Sequence, residues 1–237
     1  MHCRHFVLTV VFVFGLAIAS AAQQTIFNVP STDILPKGSV YLEYGVSFKP
    51  NDQDALKKFS AIVPRVVVGI GRNVEVGVNF LGNLQPGSGM KTIAPTVKWR
   101  FYNSERRGIS AVAGNTFYFP VSNRTYRFGS YSFSQVSKTF RGAGTRVSAG
   151  GYVFTKNVVA EKASRGGGQF GIEQPINAKF GVMADWITGK HSMGYLTPGA
   201  YFRPTNRITG YVGYSLGNQN LKGGNHFMYA SVGMTFF

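Results

Sequence analysis

The chain has 237 residues, 44% of them apolar and only 14% charged, with 30 glycines and a formal net charge of +16. A typical soluble domain is about 25% charged, and so much aromatic and glycine content excludes both intrinsic disorder and a helical bundle. The one cysteine, Cys3, allows no internal disulfide.

Residues 1–22 read as a secretory signal. His2, Arg4 and His5 form a basic start, Phe6 to Ala17 an apolar core, and Ala19-Ser20-Ala21-Ala22 a small-residue cleavage site. The core is shorter than the roughly 20 residues a spanning helix needs. Cleavage is expected after Ala22, with Ala21 second, and Cys3 leaves with the signal; a retained anchor helix is the alternative. Residues 23–38 are then expected to form a periplasmic N-terminal segment and 39–237 one β domain. Export also removes genomic nucleic acid as the partner of the basic charge.

From residue 39 onward the pattern has period 2 and nowhere period 3.6. Val40, Leu42, Tyr44, Val46 and Phe48 alternate with Tyr41, Glu43, Gly45 and Ser47; Val74 to Phe80, Ile93 to Phe101, Phe180 to Trp186 and Ile208 to Leu216 do the same. Turn residues cut the chain into twelve predicted strands near 39–49, 59–70, 74–82, 92–102, 108–119, 126–140, 145–155, 166–174, 178–188, 194–203, 207–216 and 226–237. In the sixth, Ser130, Ser132 and Ser134 face one side and Tyr131 and Phe133 the other. Every even-numbered connection is short and most odd-numbered ones are long. A soluble sandwich has no reason to keep that parity, whereas a transmembrane barrel does, with short periplasmic turns and longer outer loops. The predicted fold class is therefore all-β: a transmembrane antiparallel up-and-down β-barrel of about twelve strands.

The apolar set on each strand is Val, Ile, Leu, Phe and Ala, and the alternate set is Gly, Ser, Thr, Tyr and charge. In a soluble barrel the apolar set points inward; in a membrane barrel it points out. Two signs favour the second. The polar faces carry little Lys and Glu, unlike a water-exposed surface. Aromatics also gather near strand ends, as in membrane girdles: Phe48, Phe80, Trp99, Phe101, Phe117, Phe119, Phe128, Phe154, Trp186, Tyr195 and Phe202.

The chain stops inside a strand, Tyr229-Ala230-Ser231-Val232-Gly233-Met234-Thr235-Phe236-Phe237. This end resembles the C-terminal assembly signal of bacterial outer-membrane β-barrel proteins, although Gly233 and Thr235 stand where that pattern has bulky residues. The resemblance implies the outer membrane of a Gram-negative cell and barrel-assembly machinery as a partner of the last strand. Residues 178–217, with Ala184-Asp185-Trp186 and Leu196-Thr197-Pro198-Gly199, more loosely resemble poorly characterised outer-membrane transporter barrels, including a group annotated with phenol-degradation pathways.

Twelve strands tilted near 40° give a backbone diameter of roughly 24 Å, which suits a narrow pore or a nearly filled lumen. With the apolar set outward, the candidate lumen residues are Glu43, Arg65, Glu75, Lys98, Arg100, Arg146, Glu173, Lys179, Asp185 and Arg203. Six bases and four acids allow two readings: a mutually neutralising network, or a weakly cationic conduit for small anionic solutes. Glu75 is the expected neighbour of Lys98 and Arg100. The longer loops and their flanks add Lys49, Lys57, Lys58, Lys91, Arg124, Lys156, Lys162, Arg165, Lys190 and Lys222, little offset by Asp52, Asp54 and Glu161. This basic crown would be drawn to lipopolysaccharide phosphates, or is simply a solvated loop surface.

No catalytic constellation, metal cluster or cofactor motif is expected. The histidines beyond the signal are His191 and His226; His191 and Ser192 are neighbours, but adjacent side chains on an extended chain point apart. The run Arg165-Gly166-Gly167-Gly168 opens a strand rather than a helix, so it lacks the dipole of a phosphate loop. The expectation is a non-enzymatic narrow channel or transporter for small solutes, anionic ones among the candidates. The alternatives are a structural or lipopolysaccharide-interacting barrel with a closed lumen, and a surface hydrolase.

Overall fold

The computed structural model describes residues 24–49, 61–81, 91–122 and 127–237. The signal segment with its cleavage site, Lys57, Lys58, Arg124, Asp52 and Asp54 lie outside the described residues. Period-2 segments become twelve strands: β1 Val40–Phe48, β2 Ala61–Gly71, β3 Val74–Leu81, β4 Thr92–Ser104, β5 Ile109–Pro120, β6 Gly129–Thr139, β7 Arg146–Phe154, β8 Gly166–Pro175, β9 Phe180–Ile187, β10 Tyr195–Phe202, β11 Ile208–Gly217 and β12 His226–Phe236. Each strand pairs antiparallel with its sequence neighbours, and β12 closes on β1 with Val40 opposite Phe236. Closure leaves no free sheet edge.

The parity of connections holds. The chain turns between β2 and β3 on Arg72 and Asn73 alone, both left-handed (φ 51° and 60°), as a two-residue hairpin requires. The other short turns are 105–108, 140–145, 176–179 and 203–207. Together the five turns hold seven bases (Arg72, Arg106, Arg107, Arg141, Lys179, Arg203 and Arg207) against one acid, Glu105.

The predicted faces hold as well. Leu42, Val76, Val97, Val182, Val212 and Val232 are exposed outward, while Tyr41, Glu43, Glu75, Lys98, Met183, Asp185 and Tyr211 are buried inside. Trp99, Phe101, Phe119, Phe128, Trp186 and Phe202 stand exposed near strand ends. Two members of the expected girdle are corrected. Phe154 is 2% exposed in the interior cluster, and Tyr195 lines the interior, its ring 5.0 Å from that of Phe227. On β6 Ser130, Ser132 and Ser134 are on the outward face and Tyr131, Phe133, Gln135 and Ser137 on the inward one.

The expected periplasmic segment is also corrected. Residues 24–35 lie inside the barrel. Ile26, Phe27, Val29 and Leu35 are at most 2% exposed, and the first three join a cluster with Tyr131, Tyr152, Met183, Ile187 and Tyr211 of the wall. The segment is a hairpin: Ile26 N–H donates to the Val29 carbonyl at 2.9 Å, and Thr25 bridges to Pro30. Both limbs end at one carboxylate, because Gln24 Nε2 and Leu35 N–H donate to Glu75 Oε2 at 3.2 and 2.9 Å. The chain then leaves over Gly69, where a Cβ would stand 2.1 Å from the Pro36 carbonyl oxygen, so only glycine fits beneath the strap.

The outward face generates a test. Val212 is exposed near the middle of β11. In phospholipid vesicles Val212→Arg should cost about 2–4 kcal/mol of unfolding free energy by denaturant titration, and Val212→Thr much less. Equal tolerance of the two would contradict a lipid-facing β11.

Candidate functional site

The lumen wall pairs its own charges across neighbouring strands. Glu43 on β1 stands in register with Arg65 on β2, and their side chains meet at 3.3 Å. Glu75 on β3 is opposite Lys98 on β4 at 2.9 Å. Arg146 on β7 is opposite Glu173 on β8, joined through both guanidinium Nε and Nη2. Period 2 puts each partner on the inward face, and antiparallel register makes them direct neighbours. Tyr41 and Tyr229 add hydroxyl bonds to Glu43 at 2.9 and 3.1 Å.

Asp185 differs. Its cross-strand neighbours are Gly171 on β8 and Thr197 on β10, neither a base. It is 1% exposed, and its Oδ2 accepts three consecutive backbone N–H groups of the hairpin turn: Phe27 at 2.9 Å, Asn28 at 2.5 Å and Val29 at 2.7 Å. A buried carboxylate without such donors would be strongly unfavourable, so the turn supplies what the wall omits. Asn28 Nδ2 also reaches Thr197 Oγ1 at 3.1 Å. Lower down, Asp33 of the hairpin takes both oxygens to Arg146 Nη1 at 2.7 and 2.8 Å, and Thr32 meets Ser137 at 2.5 Å.

Of the ten residues expected to line the lumen, Glu43, Arg65, Glu75, Lys98, Arg146, Glu173 and Asp185 sit in this interior. Arg100, Lys179 and Arg203 sit at the short-turn mouth. Arg100 bonds Asn73 of the first short turn at 2.8 Å, Lys179 is exposed in its turn, and Arg203 lies over the Tyr201 ring at 4.9 Å. Three bases then face four wall acids, and Asp33 of the hairpin makes five. The formal balance of the described interior is therefore 3 − 5 = −2, replacing the expected +2. The pairing of Glu75 with Lys98 was foreseen; the hairpin and Asp33 were not. A signal did exist, in the inward glycines. A Cβ on Gly171 would lie 2.1 Å from Ile26 Cδ1, and one on Gly199 would lie 2.5 Å from the Phe27 ring.

Two cavities flank the hairpin. One of about 130 Å³ lies among Gln24, Asn28, Arg65, Glu75, Lys98 and Tyr131; the other, about 290 Å³, lies among Asn28, Glu43, Arg65, Tyr131, Met193 and Phe227. Both are lined by Asn28, Arg65, Asn79, Tyr118 and Tyr131, so they adjoin along the polar β1–β5 wall. The adjoining β6–β7 wall is filled by aromatic rings: Tyr131 lies 5.0 Å from Phe154 and Tyr152 lies 5.2 Å from Phe154.

His191 is 1% exposed in the loop between β9 and β10. Its Nε2 meets Tyr152 Oη at 2.6 Å and the Thr188 carbonyl at 3.0 Å, and its Nδ1 accepts Met193 N–H at 3.1 Å. Both ring nitrogens are engaged, so His191 is a loop tie rather than a base for Ser192. His226 Nδ1 meets Tyr214 Oη at 2.5 Å. The glycines of the tempting phosphate loop lie in β8, and Gly167 makes room for Tyr152 and Thr188.

No family model and no curated protein matches the chain. Among solved structures, the KdgM porin in complex with disordered oligogalacturonate is similar over 84% of this chain and 98% of that one, with TM-score 0.54 and 7% identity. An outer-membrane channel from Pseudomonas putida F1 has TM-score 0.46 and 10% identity over 85% and 97% of the two chains. Outer-membrane phospholipase A from Escherichia coli has TM-score 0.48 and 13% identity over 94% and 99%. At these identities the likeness concerns fold. The chain has the fold of the outer-membrane β-barrels.

Burial pushes the His191 imidazole below its ordinary value, against a smaller opposite effect of the Thr188 carbonyl. A depressed folded-state value means that the unfolded loop binds the proton more readily, so the tie weakens as pH falls below about 6.5. Amide hydrogen exchange of residues 188–194 should speed up at pH 5 relative to pH 8 beyond the intrinsic rate change. His191→Gln should abolish that extra difference, and its persistence in the variant would remove His191 as the cause.

Proposed function

We propose that this protein is a narrow outer-membrane channel for small polar solutes, closed in the state described by its own N-terminal hairpin. The carrying observation is the division of labour among interior charges. Glu43, Glu75 and Glu173 have bases opposite them in the wall, whereas the partner of Asp185 is the hairpin. A wall that satisfies most of its charges without the hairpin can lose it and stay a barrel. The polar β1–β5 side, with its adjoining cavities, is the path that would widen.

The apolar outward band and the closed strand order support an outer-membrane location, with export by the signal read in residues 1–22. Strand β12, which seals against β1, is the segment offered to barrel-assembly machinery. The solute class stays at small and polar, since the wall left when the hairpin withdraws has four acids against three bases and gives no ground for an anion preference. A second reading, a structural barrel with a permanently closed lumen, has the interior aromatic cluster in its favour.

Single-channel recording separates the two. Asp185→Asn replaces charge-assisted bonds by neutral ones, a loss on the order of 1.4 kcal/mol, so open time should rise about tenfold. Removing residues 24–36 should leave the channel continuously open. A barrel that remains folded but silent after that removal would favour the structural reading.

A further inference from the structure

The turns 105–108 and 140–145 flank a surface cavity of about 430 Å³ that none of the above uses. It is lined by Arg106, Arg107, Lys138 and Arg141, with Ile109 and Phe140. None of the four bases forms an ion pair with another described residue. Arg141 donates to the backbone carbonyl of Glu105, and Lys138 to that of Arg107, so two of the cations are fixed by neutral oxygens. The one acid of these two turns, Glu105, makes no ion pair with them, and four like charges gathered beside a single unpaired acid are unfavourable unless an anion sits among them.

The height of the cluster identifies the anion. Lys138 lies on the outward face of β6, in register with Ile109. One step up the same face, Val136 is half exposed, and Phe140 below it is half exposed with Lys138 Nζ 6.0 Å from its ring centroid. The cations therefore stand where the apolar band ends, with the lysine stem on the band and its head turned out of it. A lipid phosphate meets both conditions at once, since it brings an anion to the edge of an apolar wall. Guanidinium forks match phosphate oxygens in pairs.

We propose that this cavity binds the headgroup phosphate of an anionic phospholipid in the leaflet at the short-turn end, with the acyl chains along Ile109, Val136 and Phe140. The site rests on the membrane reading above, but not on whether the channel opens.

The test uses the protein purified from its membrane, with heat-modifiable migration as the check of folding. Native mass spectrometry would compare retention of phosphatidylglycerol and phosphatidylcholine. The wild type should retain phosphatidylglycerol about tenfold better, as expected when charge-assisted bonds distinguish two lipids. The combined change Arg106→Gln, Arg107→Gln and Arg141→Gln should abolish that preference. The combined change Arg72→Gln, Lys179→Gln and Arg207→Gln removes equal charge from other short turns and should preserve it. Equal loss in both variants would reduce the effect to diffuse charge, and displacement of the lipid by inorganic phosphate would reduce it to a simple anion site; either overturns the proposal. Absence of the protein from the membrane fraction would sink the membrane reading itself, whereas membrane protein with no lipid preference would sink this site alone.

Discussion

The carboxylate of Asp185, held by three successive backbone N–H groups, is the contact on which the interior depends. One oxygen converts residues 27–29 into a fixed turn, and the turn fixes everything attached to it. Phe27 is set edge-on to Tyr229 with centroids 5.8 Å apart. Ile26 fills the space that Gly171 leaves open. With the tip anchored, the two limbs can meet at Glu75, and Asp33 reaches Arg146. The donors are backbone groups, so the contact asks little of side-chain identity at 27–29 and much of the position of Asp185.

The barrel wall was legible in the sequence because its physics is local. Alternation states which side chains share a face, and turn residues state where strands end; Val40–Phe48, Val74–Leu81 and Ile208–Gly217 each fall within a residue or two of the predicted spans. Adjacent strands of a meander pair, so Glu75 could be matched with Lys98 from the sequence alone. The hairpin was illegible for the opposite reason. Residues 24–38 have no periodicity, and their hydrogen-bond partners lie up to 169 positions away, as Asn28 and Thr197 do. Register across one turn can be counted, but register between a free segment and a closed surface cannot.

The misplacement of Phe154 and Tyr195 has the same root. Aromatic side chains suit a membrane interface and a filled lumen alike, so residue type near a strand end does not choose a face. Neighbours along the strand do. On β7 Val147, Ala149 and Val153 occupy one parity, and Ser148, Tyr152 and Phe154 the other. Ser148 beside two aromatics reads ambiguously until the wall opposite is known. Here it is the hairpin, whose Ile26, Phe27 and Val29 give those rings something apolar to pack against.

The hairpin is held by two kinds of force that respond differently to its departure. Burial of Ile26, Phe27 and Val29 is worth about 1.5–3 kcal/mol for each side chain, and all of it is lost when they leave. The polar contacts behave otherwise, because water entering the lumen can replace them at Asp185, and Arg146 keeps Glu173 when Asp33 withdraws. The net hold is therefore much smaller than the number of bonds suggests, since each protein–protein bond is exchanged rather than simply broken. Geometry sets the direction of exit. Both limbs return to Glu75 near the start of β3, and the chain passes on to β1 through Gly38, whose N–H donates to the Gly69 carbonyl at 2.8 Å. The hairpin is thus tethered at the short-turn end with its tip toward the long loops. Withdrawal toward the short turns needs no strand of the barrel to move, whereas exit past the long loops would drag the tether through the lumen. On the channel reading proposed above, a plug built in this way opens from the side on which the chain enters.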